Sequence, residues 1–389
     1  MRHLLGRVIN RELGRMLKER TFFFITFLGP LFAFFIVSWI FSSGVPRDLP
    51  VAVVDLDHTS LSRKVAQMVD ATSIAAVDRS YISLEEARIA LKEGKADAVI
   101  YIPKDAEKDI LKGQNAKIAL YLNNANVITG GLLNSGIRKA IATLSAGISL
   151  HSHLQSGETE NQAISKVLPV QLRSVLLFNP FTSYAYFLTI LLLPVMLTVF
   201  TLFGTIYAVG TELQYGTGKD WLGTSDNNIT IALVGKILPY TFFYCLVAVF
   251  MNLDFFYVLG LPLKGSIFTI LISELLLILS YQSMAIVLIT LTKNLRLALS
   301  LASAYTMLAI TYAGFSFPFM AMPEIGWIFS RIFPVVYWVQ IFVGQSVRAE
   351  PIANGFYQMY YLWGFIILGF LSIPRLKYLL QNEKYWGKI

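Results

Sequence analysis

The chain has 389 residues, of which 55% are hydrophobic and only 14% are charged. Soluble proteins carry about a quarter charged residues, so this composition excludes a soluble globular protein and indicates an integral membrane protein. The net charge of +8 is compatible with nucleic-acid binding. However, basic residues in a membrane protein usually mark its cytoplasmic side, so we expect no nucleic-acid partner.

Residues 1–20 predict an amphipathic helix, because apolar residues recur on one arc at 100° per residue. Basic residues occupy the opposite arc: Arg7, Arg11, Arg15 and Lys18. Such a helix lies in the membrane interface, or it serves only as an orienting flank. Residues 21–42 predict the first transmembrane helix, with a break at Gly29-Pro30. Six Lys or Arg residues precede it and predict a cytoplasmic amino terminus.

Residues 43–180 predict a soluble α/β domain outside the membrane, because they hold more than half of the acidic residues and no run long enough to span. Short apolar runs predict strands at 51–54, 74–77, 98–102 and 118–122. Helical spacing predicts helices at 61–69, 84–92, 105–112 and 128–154, the last one long or broken at Gly130-Gly131.

Two segments of this domain, 55–58 and 151–153, combine His residues or carboxylates that could suggest a metal site. We favour a structural role for the first, with Thr59 or Ser60 as a helix cap and Asp57 beside it. We therefore expect no metal and no catalytic residues in this chain.

Residues 181–375 predict a block of five transmembrane helices, with apolar runs at 184–209, 233–258, 267–291, 297–315 and 356–373. We expect Lys236 to snorkel to the interface and Glu274 to be either a functional or a helix-pairing carboxylate. The basic tail, 376–389, predicts a cytoplasmic carboxyl terminus, which an even count of six spans allows.

The segment 317–352 is apolar but is interrupted by Pro318, Pro323 and Pro334. Its pieces are too short to cross a bilayer, so they predict a re-entrant hairpin on the outer side that rests partly against protein.

A polar island, 210–222, separates the second and third predicted spans. Its Glu212-x-x-x-Gly216-Thr217 motif, followed by Leu222-Gly223-Thr224, resembles the signature of permease subunits of ABC-type-2 exporters. The proline pattern of 317–337 and the arrangement of one span, a large domain and five spans are similar to that family as well.

The resemblance implies a cytoplasmic coupling helix at 211–224 that contacts a separate ABC ATPase, with Glu212, Gly216 and Thr217 as coupling residues. We call 211–224 the coupling segment. We expect Glu212 to form an exposed ion pair with the ATPase or a neighbouring helix, and Gly216-Thr217 to end or bend the helix. Gly216-Thr217-Gly218-Lys219 lacks the spacing of a phosphate-binding loop, so ATP and Mg are expected on the ATPase and no cofactor on this chain.

The resemblance also implies that residues 1–20 form an elbow helix beside the ATPase and that the second and fifth spans line the translocation path. Candidate path residues are Phe187, Met196, Phe200, Tyr305, Thr306 and Tyr312. Their aromatic and Met side chains favour hydrophobic or amphipathic, drug-like cargo. Lipid-linked or polysaccharide cargo is the alternative.

The expected assembly is a bacterial inner-membrane complex of two permease chains, this one and a second copy or a paralogue, with two ATPases. The outer domain is expected to contact a periplasmic adaptor protein or to act as a lid on its own pore. A secondary transporter is disfavoured, because one large insert after a single span does not fit matched inverted repeats. A membrane-anchored receptor or scaffold remains an alternative.

Overall fold

The computed structural model describes residues 2–42, 44–167, 177–179, 183–314 and 317–387. The chain divides into two compact units, one formed by Met1–Gly44 with Leu177–Ile389 and the other by Val45–Leu176. The first unit is helical, and the second combines a four-stranded sheet with helices. The predicted class, a polytopic α-helical membrane protein with an inserted α/β domain, is confirmed.

Six helices among the described residues are long and apolar enough to cross a membrane, and we number them as the first to sixth spans in this order: Arg20–Ile40, Ala185–Gln214, Ile229–Val258, Ile267–Thr292, Leu295–Tyr312 and Ile352–Gln381. An amphipathic helix, Arg2–Lys18, precedes them and is called the N-terminal helix below. The sixth span is longer at both ends than its apolar run, and part of the predicted 376–389 tail is therefore helical. Helical hydrogen bonding does not stop where hydropathy falls, so the apolar run underestimates the helix. Phe315, the predicted end of the fifth span, lies outside the described residues.

The first span is irregular at the predicted position. A π turn, Phe24–Leu28, joins the helices Arg20–Phe23 and Gly29–Ile40. Pro30 has no N–H for the usual helical bond, and the N–H of Gly29 donates to the carbonyl of Phe24. A Cβ atom at Gly29 would lie 2.6 Å from the Phe200 ring, so glycine permits this close approach to the second span.

The proline-rich segment forms two helices, Glu324–Ser330 and Pro334–Val343, and a π turn, Gly344–Arg348, extends the second. The two parts are bent by 90° at the break. Trp338 and Phe342 are fully buried within the helical unit. A bend of this kind fits a broken span as well as a re-entrant hairpin, so the hairpin stays a prediction.

The inserted unit contains strands β1 (Leu49–Asp55), β2 (Ala75–Asp78), β3 (Ala98–Ile102) and β4 (Ala119–Leu122) in the order β2-β1-β3-β4. The β1 strand pairs in parallel with β2 and β3, whereas β4 is antiparallel to β3. Five helices accompany the sheet: Ser60–Asp70, Leu84–Lys92, Ala106–Leu111, Val127–Gln155 and Glu160–Val167. The long helix continues unbroken through Gly130-Gly131.

Alternate residues of β1 are buried in two separate clusters, with Val51 and Val53 in one and Ala52 and Val54 in the other. The sheet therefore has an apolar core on both faces, as the continuous apolar run of β1 requires.

Two residues that follow β1, Asp57 and Thr59, cap the N-terminal ends of helices. Thr59 caps the first helix of the unit with a reciprocal bond to Ser62, as predicted. The Asp57 carboxylate accepts the N–H groups of Ala106 and Glu107 at 3.0 and 3.1 Å. In the described part of the chain, no group of three or more metal-ligating side chains comes together.

Candidate functional site

The coupling segment is not a single helix. The second-span helix, Tyr184–Gln214, includes Glu212 in its last turn, and a separate six-residue helix covers Gly218–Gly223. Gly216 lies between the two with φ +70°. This left-handed backbone is easy only for glycine, so the prediction that Gly216-Thr217 ends the helix is confirmed and that of one helix over 211–224 is wrong.

The Glu212 side chain is fully buried inside the chain, with 0% of its surface exposed. Arg11 holds both carboxylate oxygens, with nitrogen–oxygen distances of 2.7 and 3.0 Å. Lys236 Nζ lies 2.8 Å from Oε1, and the Thr217 hydroxyl also donates to the carboxylate. The prediction that Glu212 is exposed is wrong, because the N-terminal helix covers it. The predicted ion pair with a basic group on a neighbouring helix is confirmed, because Arg11 lies on the N-terminal helix and Lys236 on the third span.

Lys236 does not snorkel to the interface, because its side chain is completely buried. Its Nζ lies 2.6 Å from Glu12 Oε2. The Tyr240 hydroxyl donates to the other Glu12 oxygen at 2.8 Å, and the Trp221 ring lies 4.6 Å from Nζ. Glu12 thereby joins the N-terminal helix to the third span. We call the five ionisable side chains the charge cluster: Arg11, Glu12, Arg15, Glu212 and Lys236.

Three of the four residues on the basic arc of the N-terminal helix contact the coupling segment, whereas Lys18 is exposed. Arg15 donates to Glu212 and to Thr211, and Arg7 donates to the carbonyl of Thr224 at 2.7 Å. Arg11 and Arg15 side chains are only 23% and 17% exposed. The arc that would face water in an isolated helix therefore binds both ends of the coupling segment.

The electrostatics of the cluster are nearly balanced, with three positive and two negative side chains. Burial by itself would lower the pKa of Arg11, but the carboxylates of Glu212 and Glu12 hold it above its ordinary value. Buried charges are stable only when each has hydrogen-bonded partners, as these have.

Three residues of this site were not predicted from the sequence: Glu12, Tyr240 and Trp221. A signal for Glu12 was present, because it lies four residues from Val8 and from Met16, and all three are buried. A Cβ atom at Gly235 would lie 2.8 Å from Val8, so this face of the helix lies directly on the third span.

The last described residues also contact the coupling segment, although 376–389 was expected to be a tail. Lys219 Nζ lies 2.6 Å from Glu383 Oε1, and this hydrogen bond holds the pKa of Glu383 below its ordinary value. The N–H of Gly387 donates to the carbonyl of Leu213 at 3.2 Å. A Cβ atom at Gly216 would lie 3.1 Å from the Trp386 ring. We call residues 382–387 the C-terminal strap.

Comparison with known proteins identifies the family of this chain. A family model described as "ABC-2 family transporter protein" matches residues 20–373. The chain belongs to the ABC-2 transporter family. The resemblance inferred from the sequence is confirmed, and the family implies association with an ATPase subunit.

Two curated relatives, from Escherichia coli K12 and Escherichia coli O157:H7, are both named "Probable multidrug ABC transporter permease YbhS". Each is 23% identical to this ABC-2 permease over 339 residues, which are 82% of this chain and 86% of the relative.

The coupling segment of this ABC-2 permease leaves a distinct surface exposed. Tyr215 is 65% exposed, and Lys219, Asp220 and Gly223 are also exposed. Thr217 is partly buried and Glu212 is not accessible. Any partner that touches this segment therefore meets these neighbours of Glu212 and not its carboxylate.

The candidate path residues of the second span do not share one environment. The backbone carbonyl of Phe200 accepts the Tyr244 hydroxyl at 2.8 Å, and the Phe200 ring packs on Gly29. Met196 is partly buried, whereas Phe187 is 40% exposed. Phe200 thus connects the first, second and third spans.

The fifth-span candidates face the hairpin or their own helix. The rings of Tyr305 and Tyr312 lie 5.0 and 6.2 Å from that of Phe333, and the Tyr305 hydroxyl donates to the carbonyl of Ile332 at 2.6 Å. Thr306 is buried and donates to the carbonyl of Ala302. The described contacts of Tyr305 and Tyr312 hold the hairpin against the fifth span.

Glu274 pairs two helices. It is 2% exposed, and its oxygens lie 3.0 and 2.8 Å from Nδ2 of Asn252 on the third span. The helix-pairing alternative for this residue agrees with these contacts.

Proposed function

We propose that this ABC-2 permease exports hydrophobic or amphipathic, drug-like compounds, driven by a separate subunit that binds and hydrolyses ATP with Mg. The transport role is supported by membership of the ABC-2 transporter family. The cargo class is supported by the apolar and aromatic surfaces of the spans and by the word "multidrug" in the names of the two E. coli relatives. The charge cluster is the observation that carries the coupling mechanism.

The cluster makes a rigid connection between the coupling segment and two spans. Glu212 lies on the second-span helix, Lys236 on the third span, and Arg11, Glu12 and Arg15 on the N-terminal helix. Buried ion pairs with several hydrogen bonds resist separation. When the ATPase displaces the exposed part of the coupling segment, the N-terminal helix and both spans therefore move with it.

We propose that both termini lie in the cytoplasm and that the inserted unit, Val45–Leu176, lies outside the bacterial inner membrane. The N-terminal helix and the C-terminal strap both contact the coupling segment, which supports their location on one side of the bilayer. Their Lys and Arg residues favour the cytoplasmic side.

The working assembly is proposed to contain a second permease chain, either this one or a paralogue. The fifth span is consistent with this, because Leu301, Met307 and Leu308 are 44, 74 and 41% exposed along one helix. The inserted unit is proposed to contact a periplasmic adaptor. Deletion of 51–168 should abolish export and leave basal ATP hydrolysis intact, whereas unchanged export would contradict this role.

Reconstitution of the permease with its ATPase in proteoliposomes tests the function. Lipophilic dyes and toxicants should stimulate ATP hydrolysis and move across the bilayer in an ATP-dependent manner. The matched control carries an ATPase subunit with its catalytic carboxylate removed. If no compound of the panel stimulates ATP hydrolysis but lipid-linked saccharides do, the alternative cargo replaces the one proposed here.

A further inference from the structure

The third, fourth and sixth spans enclose a groove of about 380 Å³. Its walls are apolar, and none of its described lining residues is charged. The side chains at its mouth are exposed at the outer surface of the helical unit, with Leu238 at 45%, Trp363 at 51% and Phe370 at 55%. None of the path residues predicted from the sequence lines this groove, and its mouth lies on the exposed apolar surface of the three spans.

The groove contains one unsatisfied polar group. Gln282 is 2% exposed and lines the groove. Its Oε1 accepts a hydrogen bond from the Thr241 hydroxyl at 2.9 Å. Its Nε2 has no hydrogen-bond partner among the described residues. Because a buried N–H donor without an acceptor is costly in an apolar environment, a bound acceptor in the groove would stabilise it.

The depth of Gln282 decides what can supply that acceptor. It lies about 22 Å along the helix axis from Ile267 and about 15 Å from Thr292, in a hydrocarbon core of about 30 Å. Gln282 is therefore close to the middle of the core. Phospholipid chains offer only CH₂ and CH₃ groups there, because their carbonyls lie at the interface. An apolar compound that carries its own acceptor can satisfy Nε2 at this depth.

The base of the groove is preformed. A Cβ atom at Gly369 would lie 2.5 Å from the Ser283 Cβ, so the fourth and sixth spans are in direct contact there. The volume and the combination of mostly apolar walls with a few polar side chains are those of a small-molecule site.

We propose that this groove binds uncharged amphipathic compounds entering from the bilayer and that Gln282 Nε2 donates to their carbonyl or ether oxygen. This inference rests on the proposed function and adds the substrate class and a membrane-facing binding site. Fluorenone and fluorene are suitable probes, because both are uncharged tricyclic compounds and only fluorenone carries an acceptor.

Photolabelling in proteoliposomes that contain the permease alone tests the site. Benzophenone, an uncharged ketone that inserts into nearby C–H bonds on irradiation, should label residues 229–241 and 363–373. Fluorenone should compete about 3- to 10-fold more effectively than fluorene, the value of one hydrogen bond. In Gln282→Leu the two should compete equally. Gln358→Leu, the same change on the sixth span outside the groove, should retain the wild-type ratio.

A second variant keeps the test decisive if Gln282→Leu does not fold. Leu238→Trp places a larger side chain at the exposed mouth and should reduce labelling without changing Gln282. Equal competition by fluorenone and fluorene in the wild type, or labelling elsewhere, overturns the site and indicates occupancy by lipid chains. Self-cross-linking of Val234→Cys with no labelling also overturns it, because the groove is then an interface between copies.

The binding assay contains no ATPase, so its failure and that of the proposed function are distinguishable. Selective labelling without ATP-dependent transport would reject export of these compounds and retain the site. Transport of fluorenone with no preference at Gln282 would retain the function and reject the site.

Discussion

Lys236 Nζ lies 2.6 Å from Glu12 Oε2, although 224 positions separate the two residues in the chain. The two side chains are only 0% and 1% exposed, so the pair is withdrawn from water. It fixes the N-terminal helix directly to the third span, independently of the intervening first span. The charge cluster therefore forms a tertiary contact between the N-terminal helix and two spans. Substitution of its residues should affect folding as well as coupling.

Replacement of Glu212 by Ala should destabilise the protein by about 3–5 kcal/mol, because it leaves the positive side chains of Lys236, Arg11 and Arg15 to share the single carboxylate of Glu12. This exceeds the 0–1 kcal/mol of an exposed ion pair. The measurement is the thermal unfolding of the detergent-solubilised chain. Glu383→Ala, which removes a surface carboxylate, is the control and should have little effect. An unchanged melting temperature in Glu212→Ala would contradict the buried location.

Lys236→Met and Glu12→Gln should each destabilise the chain, and the double variant should lose less than their sum. Each single change leaves a buried charge with one partner fewer, whereas the double change removes both members of the Lys236–Glu12 pair. We expect an interaction free energy of about 0.5–3 kcal/mol. The same cycle on the exposed pair Lys95–Glu93 should be close to additive. Additivity in the buried cycle would show that the two side chains do not interact.

Features with a local cause could be predicted from the sequence. The four strands and the six spans follow from apolar runs, and the helix ending at Gly216 follows from the backbone that glycine allows. The partners of Glu212 could not be predicted, because Arg11 is 201 positions away and its arc has the spacing of a solvent-facing surface. The Lys236 pairing had a partial signal, since a lysine within an apolar helix needs a carboxylate partner.

The C-terminal strap had no local signal, because residues 382–387 are polar and aromatic without helical or strand periodicity. Its position depends on the left-handed turn at Gly216, where the absence of a side chain admits the Trp386 ring. The groove at Gln282 could not be predicted from the sequence either, because a volume between three helices depends on how they pack.

Gly216→Val should destabilise the coupling segment by at least about 1–2 kcal/mol, because a β-branched residue is strained at φ +70° and its Cβ would lie 3.1 Å from Trp386. Substrate-stimulated ATP hydrolysis should fall at matched protein levels. Gly223→Ala is the matched control. It lies in the short helix with no atom within 4 Å of the added Cβ, and should be neutral or slightly stabilising. Equal behaviour of the two variants would exclude a backbone requirement at Gly216.

Truncation after Gln381 should leave the six spans inserted but reduce ATPase copurification and coupled hydrolysis. The strap holds the coupling segment through Lys219–Glu383 and through the Gly387 N–H bond to Leu213. Without it, the Gly218–Gly223 helix loses its support on that side. A chain ending at Gly387 is the control and should retain wild-type activity.

Hydrogen exchange of the Gly387 amide gives a second readout of strap binding, and its pH dependence has a defined sign. Because Lys219 lowers the pKa of Glu383, the Lys219–Glu383 contribution is present at neutral pH. It disappears as the pH falls below the ordinary carboxyl range and through the lowered pKa, where Glu383 becomes neutral. Protection should therefore decrease on acidification in the wild type, whereas Glu383→Gln should have lower protection at neutral pH and a smaller change. Normal ATPase binding and coupling in the chain truncated after Gln381 would show that the strap does not position the coupling segment.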